Sequence, residues 1–259
     1  MFRRAAVLAV GCGAWLSGCG TSLEQEHEEI VSNLVEAGFQ RGDIRVEGEG
    51  VSVGGDARVS LEASREMLQP GGDGEEQYRT TNIVSTSLVR KLCVNPTSTF
   101  SSYSGLSQGL DLALQNYNAL GLCFTMVRGA TTGCDATIVM TTAAGTGYNS
   151  GFPSAGKPYG TITLGTGWNT SPLDTIEHIV THELGHALGM RHSDYYSQVI
   201  SCGTGGSEGT AGVGAILIPG TPATSYVNGS IFNACLPPNP TGEFTSTDIT
   251  ALRFLYRCG

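Results

Sequence analysis

Three histidines occur between residues 182 and 192 at the spacing that a single divalent metal ion requires. In a helix, His182 and His186 are one turn apart, so both imidazoles project from the same face and can reach one ion. Gly189 can adopt the left-handed conformation that ends a helix, and the resulting turn would return His192 to the same ion. Three protein ligands leave the fourth position of a zinc ion open for water, which is the arrangement of a catalytic site.

Glu183 directly follows the first of these histidines, so it would lie beside the ion and not on it. Zinc can lower the pKa of a bound water molecule to about 7, and a neighbouring carboxylate can then take its proton near neutral pH. We therefore predict Glu183 as the general base of a hydrolytic reaction. A bare HExxH string also occurs in ordinary amphipathic helices, but Gly189 and His192 make an incidental cluster a weak alternative.

His178 stands one turn before His182 and offers a further imidazole on the same helix. Because His192 would arrive from beyond the C-terminal end of the helix, the ion must lie near that end. We therefore expect His178 to pack against its neighbours or to support a ligand, and not to bind the metal.

The segment that carries the motif has the signals of a buried helix. Ser171 is a predicted N-cap, Pro172 suits the first helical position, and Asp174 suits the first turn. Apolar residues then recur at steps of three and four until Gly189, where the helix is expected to end.

From residue 81 onward the sequence predicts a strand, a helix, three strands, the motif helix and a terminal helix. This order indicates an α+β fold with a small mixed sheet. The candidate elements lie at 82–88, 107–120, 122–127, 136–141 and 160–164, and the terminal helix is capped by 246–248. The last strand before the motif helix, at 159–164, is predicted to be a cleft edge where an extended peptide could pair.

The chain changes character near residue 80. Residues 19–80 hold 14 acidic and 5 basic side chains, a net charge of −9, whereas residues 81–259 hold 9 and 7, a net charge of −2. The acidic part has a predicted helix at 23–39, alternating stretches at 44–47 and 51–53, and a break rich in glycine and acids at 71–76. We interpret it as a prosegment or small accessory domain before a catalytic domain at 81–259; a solvated acidic spacer is the alternative.

The N-terminus has the features of a bacterial export signal. A basic start precedes a short apolar run that ends in Leu-Ser-Gly at 16–18, followed by Cys19. This string resembles a lipobox, which predicts a signal peptide at 1–18 and lipid attachment at Cys19. Because residue 20 is glycine, the lipoprotein is expected in the outer membrane of a two-membrane cell. A shorter string ending at Cys12 ranks second, and an ordinary cleaved signal of a secreted protein is the other alternative.

Cysteine usage agrees with export. Of eight cysteines, Cys12 would be lost with the signal and Cys19 would carry lipid, which leaves six in an oxidising compartment and predicts three disulfides. The sequence leaves their pairing open. The pairs we expect are Cys123–Cys134 across a hairpin, Cys202–Cys235 after the third ligand, and by remainder Cys93–Cys258. A zinc site made of these cysteines is disfavoured because none forms a CxxC pair.

Several strings carry a family resemblance. The motif at 182–192, with strands before it and a capped helix at the end of the chain, resembles the metzincin zinc metallopeptidases. The strings most similar to the dual-action HEIGH metallopeptidase family are His-Glu-Leu-Gly-His at 182–186, Arg-His-Ser-Asp at 191–194, Ile-Pro-Gly-Thr-Pro at 218–222, Asn-Ala-Cys at 233–235 and Val-Glu-Gly at 46–48. The resemblance spans about residues 25–258. It implies a metzincin-like fold, proteolysis, zinc on the three histidines and catalysis by Glu183.

One position departs from that resemblance. Metzincins place a methionine in a turn beneath the zinc site, and the matching segment here has Phe232 instead. Because that methionine packs under the ligands and does not bind the metal, a phenylalanine can fill a similar role, so the change bears on activity more than on zinc binding. Ala234 stands where some metzincins carry a tyrosine. Transition-state stabilisation must then come from zinc and from other donors.

The resemblance also suggests a role for the acidic segment. Some metzincin prosegments place a carboxylate on zinc, and an aspartate such as Asp56 or Asp73 could do so in a latent form and leave on processing. Short Gly-Asp strings are equally common in turns, which is the plainer interpretation of both positions.

Together these features predict an exported, membrane-tethered zinc endopeptidase that acts on peptide or protein substrates. The alternative is a lipoprotein binding module that keeps a zinc-stabilised fold without turnover, and Phe232 is its main support. The mature chain is acidic and its lysines and arginines do not cluster, so no nucleic-acid partner is expected.

Overall fold

The computed structural model describes residues 22–68, 77–209, 214–222 and 224–258. The predicted signal peptide with Cys19, the break at 71–76 and Asp73 lie outside these ranges. No helix within the described ranges is both long enough and apolar enough to cross a membrane.

Most strands of the described chain belong to one mixed sheet of eight. In spatial order they are β1 (Arg45–Glu47), β2 (Gly50–Val53), β3 (Ala57–Val59), β8 (Tyr148–Gly151), β9 (Thr161–Gly165), β7 (Ala136–Ala143), β5 (Lys91–Pro96) and β6 (Thr125–Arg128). Two further strands, β4 (Tyr78–Arg79) and β10 (Ile216–Leu217), pair antiparallel with each other.

Seven α-helices lie within the described ranges. They are α1 (Ser22–Glu36), α2 (Leu61–Glu66), α3 (Ser98–Ser102), α4 (Ser104–Ala119), α5 (Leu173–Leu188), α6 (Val199–Cys202) and α7 (Ser246–Tyr256), with 3₁₀ turns at Arg41–Asp43 and Thr166–Thr170. The sheet and helices confirm the predicted α+β, metzincin-like class, since α5 carries the motif and α7 is the terminal helix.

The sheet has two parts that meet at β8. Strands β6, β5, β7 and β9 are parallel to one another, and β8 runs antiparallel to β9. The N-terminal strands β1, β2 and β3 form an antiparallel meander, and β3 pairs parallel with β8. The N-terminal segment therefore continues the sheet formed by β5–β9.

Two hydrophobic cores match these two parts. The larger core lies among the strands β5–β9 and the helices α4 and α5. These two helices pack closely because Gly109 of α4 has no side chain: a Cβ there would lie 2.6 Å from a methyl carbon of Ile176 on α5. The smaller core is formed by α1, α2 and the N-terminal strands and includes Phe152, which follows β8. The N-terminal segment thus has apolar packing of its own.

The motif helix α5 ends where the sequence predicted. Gly189 has a φ of 114°, and a Cβ there would lie 2.3 Å from the Asn82 carbonyl oxygen, so only glycine fits this turn. The beginning differs slightly, because Pro172 occupies the N-cap position and the expected cap at Ser171 is wrong. At α7 the cap is Thr245, whose side chain forms a capping box with Asp248.

Two predictions about strands are wrong. Residues 82–88 form no strand, because the Asn82 side chain donates to the carbonyls of Ala63 and Pro153 and the chain turns before β5. The strand at 159–164 exists as β9 but is not an edge, since β8 lies outside it. The sequence Tyr-Asn-Ser-Gly of β8 has no apolar alternation, so periodicity could not identify it.

The disulfides differ from the expected pairing in two of three cases. Cys202–Cys235 forms as expected, but Cys93 pairs with Cys134 and Cys123 pairs with Cys258. Cys93 lies on β5, and Cys134 lies two residues before the start of β7, which is the parallel neighbour of β5. The Cys123 amide donates to the Tyr256 carbonyl, which brings the end of α7 to this cysteine. Both pairings follow from strand order and helix docking, which the local sequence does not encode.

Candidate active site

The three histidines of the motif converge on one buried point. His182 and His186 lie one turn apart on α5, and the turn at Gly189 returns His192 to them. Their Nε2 atoms are 3.0 Å apart for His182 and His186, and 3.2 Å from each of these to His192. All three residues are at most 4% exposed.

The other ring nitrogen of each histidine is bound to an oxygen. His182 Nδ1 is 2.8 Å from the Ile231 carbonyl oxygen, and His186 Nδ1 is 2.7 Å from that of Met190. A carbonyl can only accept, so Nδ1 carries the proton in both rings and the Nε2 lone pairs face each other. His192 Nδ1 contacts a carboxylate oxygen of Glu208. The 3.0 Å between the Nε2 atoms of His182 and His186 is therefore not a hydrogen bond between these two rings.

This donor set fits a divalent cation. Lone pairs at this separation repel unless a positive charge lies between them, and a tetrahedral zinc with bonds of about 2.0–2.1 Å would place its nitrogen ligands about 3.3 Å apart. Burial lowers the pKa of His186 to about 3, so this ring is neutral and able to bind metal. Burial opposes charge on His192, but Asp56 and Glu208 outweigh it and raise its pKa well above the usual value. A cation at this point would replace that proton.

Glu183 follows His182 on α5, and its charge interacts with those of Asp56 and His192. Its carboxylate is fully buried, and neither oxygen has a hydrogen-bond partner among the described residues. Burial, followed by the charge of Asp56, raises its pKa well above the usual value. An unpartnered buried carboxylate is costly, which indicates that it faces a water molecule or a substrate group.

A carboxylate from the N-terminal segment completes the cluster. One oxygen of Asp56 is 3.2 Å from His192 Nε2 and 3.5 Å from His182 Nε2, and the other is 3.5 Å from His186 Nε2. The four side chains form one group able to hold a metal ion. Of the two aspartates that the sequence suggested, Asp56 is thus placed beside the histidines, and Asp73 lies outside the described residues.

Sequence reasoning missed Glu208, which orients the third histidine. Its carboxylate contacts His192 Nδ1 and accepts from the Arg191 guanidinium at 2.9 Å, and both partners are buried. Burial alone would raise the pKa of Glu208, but His192 and Arg191 lower it to about 2, so it remains a carboxylate. Glu208 lies in a loop 16 residues after His192, and no local pattern marks it.

Phe232 lies under the site, where the family resemblance led us to look for an apolar side chain. It is fully buried, its ring centroid is 6.1 Å from that of His182, and a Cβ on Gly185 would come within 2.0 Å of it. The preceding residue, Ile231, supplies the carbonyl that holds His182. Ala234 offers no side-chain donor, and its amide donates to Asp194 at 2.9 Å.

His178 stands apart from the cluster, as expected. Its Nδ1 is 2.8 Å from the Thr241 carbonyl oxygen, and burial lowers its pKa to about 4. It is not among the side chains that could share the ion. A neutral, hydrogen-bonded His178 packs α5 against the loop before α7.

Comparison with known proteins agrees with this site. The chain matches the model of the dual-action HEIGH metallopeptidase family over residues 51–256. Two solved structures of myroilysin resemble it at 15% identity. In the first, with a TM-score of 0.42, the match covers 68% of this chain and 98% of the myroilysin chain. In the second, with a TM-score of 0.39, it covers 66% of this chain and 83% of the myroilysin chain. No curated protein matches the chain.

A mixed sheet, a helix that carries HExxH and a third histidine beyond its glycine cap define a metallopeptidase, which is a hydrolase acting on peptides or proteins. The family match extends over most of the sequence, and the chain belongs to the dual-action HEIGH metallopeptidase family. The family prediction made from the motif strings is therefore confirmed.

Proposed function

We propose that this protein is a zinc-dependent endopeptidase in which His182, His186 and His192 hold the metal and Glu183 is the general base. The observation that carries the proposal is the convergence of three Nε2 lone pairs beside an unpartnered, buried carboxylate. Imidazole nitrogens suit zinc, and three of them with one further position available are the ligand set of catalytic zinc sites.

Bound zinc supplies Lewis acidity, which polarises a peptide carbonyl and makes a water ligand acidic near neutral pH. Glu183 is next to His182 in sequence, and neither of its oxygens has a hydrogen-bond partner within the described ranges. Its raised pKa suits a group that accepts a proton and later delivers it to the leaving amine. The carbonyls of Ile231 and Met190 keep His182 and His186 in the tautomer that metal binding requires.

The first test is Glu183→Gln in a protein from which residues 1–80 have been removed. Glutamine keeps the size of the side chain but cannot accept the proton, so we expect cleavage of casein to fall at least about a hundredfold while zinc content stays near one per chain. Asp174→Asn, an exposed change in the first turn of the same helix, is the matched control. Undiminished cleavage by the Glu183 variant would refute its role.

A non-catalytic, zinc-stabilised binding module is the second candidate function. It is favoured by Asp56, which takes the place beside the histidines that a catalytic site leaves to water. Casein cleavage that a chelator blocks and zinc restores would reject this candidate. Absence of cleavage after complete removal of the N-terminal segment would support it.

Export and lipid attachment at Cys19 are proposed on the sequence alone, from the basic start, the apolar run and the Leu-Ser-Gly-Cys string. The three disulfides in the described part of the chain suit an oxidising compartment. Mass spectrometry of the N-terminus of the protein isolated from its own cells is the measurement. A free, unmodified residue other than Cys19 at that end would reject the lipid anchor.

A further inference from the structure

We infer that Tyr148 is a further catalytic residue, whose hydroxyl donates a hydrogen bond to the oxygen of the peptide carbonyl as that oxygen becomes negatively charged. This inference rests on the proposed peptidase function and adds a side chain of β8 to the same site. Three features support it: the cavity that Tyr148 shares with His182, the proton that its hydroxyl has to offer there, and the fixed position of β8.

Tyr148 borders the site from two sides. One cavity, beside the motif helix, is lined by Tyr148 together with residues of α5 and of the turn after Phe232, which are His178, Ile179, His182, Asn233, Ala234 and Leu236. A second cavity is lined by Tyr148, Asp56 and residues of the N-terminal strands. A substrate group that reaches His182 through the first cavity therefore meets the Tyr148 side chain as well.

The charges of the site act on the Tyr148 hydroxyl. Burial, followed by the charges of Asp56 and then Glu183, raises the pKa of Tyr148 above its usual value. The hydroxyl therefore keeps its proton near neutral pH and is available as a hydrogen-bond donor. A neutral donor next to carboxylates is stabilised least by water in a buried place and most by a new negative charge.

The other side chains that line the cavity beside α5 have no hydrogen free to donate. The Nδ1 atoms of His178 and His182 already donate to main-chain carbonyls. The Asn233 amide group donates to two serine hydroxyls, at 2.9 and 3.0 Å, and the remaining three side chains are aliphatic. The Tyr148 hydroxyl, in contrast, makes no hydrogen bond with the described residues. Among these side chains, Tyr148 is thus the one with a donor to spare.

The strand β8 holds Tyr148 in a fixed position. It pairs antiparallel with β9, and the Tyr148 ring centroid is 6.2 Å from that of Trp168. Trp168 is held in turn, since its Nε1 donates to the Thr146 carbonyl at 2.7 Å. A Cβ on Gly165 would lie 2.3 Å from the Gly145 carbonyl oxygen, so the chain before Tyr148 packs directly on the end of β9. A donor held in this way need not be reoriented as the transition state forms.

The hydroxyl acts at one point of the reaction and is unchanged by it. A water oxygen bonds to the peptide carbonyl carbon while one water proton passes to Glu183. The carbonyl electron pair moves to its oxygen, and the Tyr148 O–H donates a hydrogen bond to that oxygen while keeping its proton. When the C–N bond breaks, the pair returns to re-form the carbonyl and Glu183 delivers the proton to the leaving amine.

The test uses the full zinc-loaded chain and Tyr148→Phe, which keeps the ring beside Trp168 and removes only the hydroxyl. The variant loses no hydrogen bond within the described ranges, so its fold should be intact by circular dichroism. Tyr103→Phe is the matched control, because Tyr103 is also partly buried against the larger core and its hydroxyl has no partner among the described residues.

Cleavage of a quenched peptide of eight residues is the first measurement. We expect kcat of Tyr148→Phe to fall about a hundredfold, because one donor to the developing negative charge is lost. KM should change by less than about twofold, since the uncharged carbonyl of the bound substrate gains little from this donor. Zinc content should stay the same, and Tyr103→Phe should match the wild type throughout.

Binding of two uncleavable peptides is the second measurement and does not depend on turnover. One peptide carries a phosphinic group in place of the scissile amide, and its charged oxygens resemble the tetrahedral transition state. The other carries a reduced amide, which has no oxygen at that place. We expect Tyr148→Phe to bind the phosphinic peptide at least about tenfold more weakly than the wild type does, and to bind the reduced-amide peptide equally well.

The outcomes separate this inference from the peptidase proposal. An unchanged kcat in Tyr148→Phe would overturn the inference and leave the peptidase intact. A lower kcat with unchanged phosphinic affinity would also overturn it, because the hydroxyl would then not act on the oxygen. No cleavage by the wild type, with phosphinic affinity that depends on Tyr148, would contradict the peptidase and retain the donor. If the wild type does not bind the phosphinic peptide, the inference is wrong, and the Glu183→Gln comparison still decides the peptidase.

Discussion

At the scale of single residues, the site depends on what holds the Nδ1 atoms of its histidines. Two histidines are held by main-chain carbonyls, whereas His192 is held by the carboxylate of Glu208. A carboxylate behind an imidazole fixes its orientation and would make the ring a stronger metal ligand. Glu208 is fixed in turn by Arg191, so His192 depends on a charged pair that is buried with it.

We predict that Glu208→Gln weakens zinc binding about 10–100-fold. Glutamine keeps the shape of the side chain but loses the charge that favours the His192 proton on Nδ1. Competition with a chromogenic chelator measures the affinity, and Glu243→Gln, an exposed change before α7, serves as the control. Equal zinc affinity in the Glu208 variant and the wild type would show that the carbonyl-held histidines alone determine binding.

The residues that sequence reasoning found and missed differ in one physical respect. His182, Glu183 and His186 lie on one helix, and His192 follows a glycine cap, so helical geometry alone brings them together. Asp56 was named only through the family resemblance and together with Asp73, because it is 136 residues from His192 and reaches it only through the pairing of β3 with β8. Contacts of that kind depend on tertiary structure, and the spacing of residues does not reveal them.

At the scale of elements, α5 and the turn at 230–234 form one unit. Phe232 packs against Gly185 in the middle of the motif, and the Ile231 carbonyl holds His182. The turn is held from the other side by Asp248 of α7, which accepts from the Ile231 amide at 3.0 Å. The terminal helix therefore supports His182 through one turn of chain.

We predict that Gly185→Ala destabilises the protein by about 1–3 kcal/mol, because its Cβ would overlap the Phe232 ring. Helix propensity alone would favour alanine by about 1 kcal/mol. The sign of the change in the free energy of unfolding therefore shows whether propensity or overlap with the ring dominates. Gly160→Ala, where a Cβ meets open space, should change stability by less than about 0.5 kcal/mol.

Denaturant unfolding at a fixed zinc concentration gives the free energies of unfolding of Gly185→Ala and Gly160→Ala. Adding Phe232→Leu to Gly185→Ala removes part of the ring, so the two changes together should cost less than their sum. Strict additivity in this double-mutant cycle would mean that the two side chains do not compete for the same space.

Among these elements, the strands were harder to predict than the helices. α4 and α5 carry apolar residues at helical spacing and were found to within a few residues. β8 is only Tyr-Asn-Ser-Gly and carries no such pattern, although it decides which strand is the edge. Its identity as a strand comes from β9 on one side and β3 on the other.

At the scale of the whole molecule, the disulfides connect distant parts of the chain. Cys123 and Cys258, which lies two residues after α7, are 135 residues apart in the sequence, and Cys93 and Cys134 are 41 residues apart. Cys202–Cys235 links the loop after His192 to the turn that contains Phe232. The longest of these closes most of the catalytic part into one loop.

We predict that replacing both cysteines of the 123–258 pair by alanine costs about 1 kcal/mol more than the same change in the 93–134 pair, because a longer closed loop restricts the unfolded chain more. Urea unfolding of each double variant under non-reducing conditions, with zinc kept constant, is the measurement. A larger loss for the shorter loop would show that native packing around Cys93, and not loop closure, dominates.

The pairing of β3 with β8 has a further consequence for a protein shortened to residues 77–259. Without β3, two main-chain donors at Ser150 and Phe152 would face solvent along a short sheet border. Such a border adheres to any stretched polypeptide, including a neighbouring molecule of the same protein. Concentrated preparations of the shortened protein should therefore aggregate, whereas the uncut protein should store well.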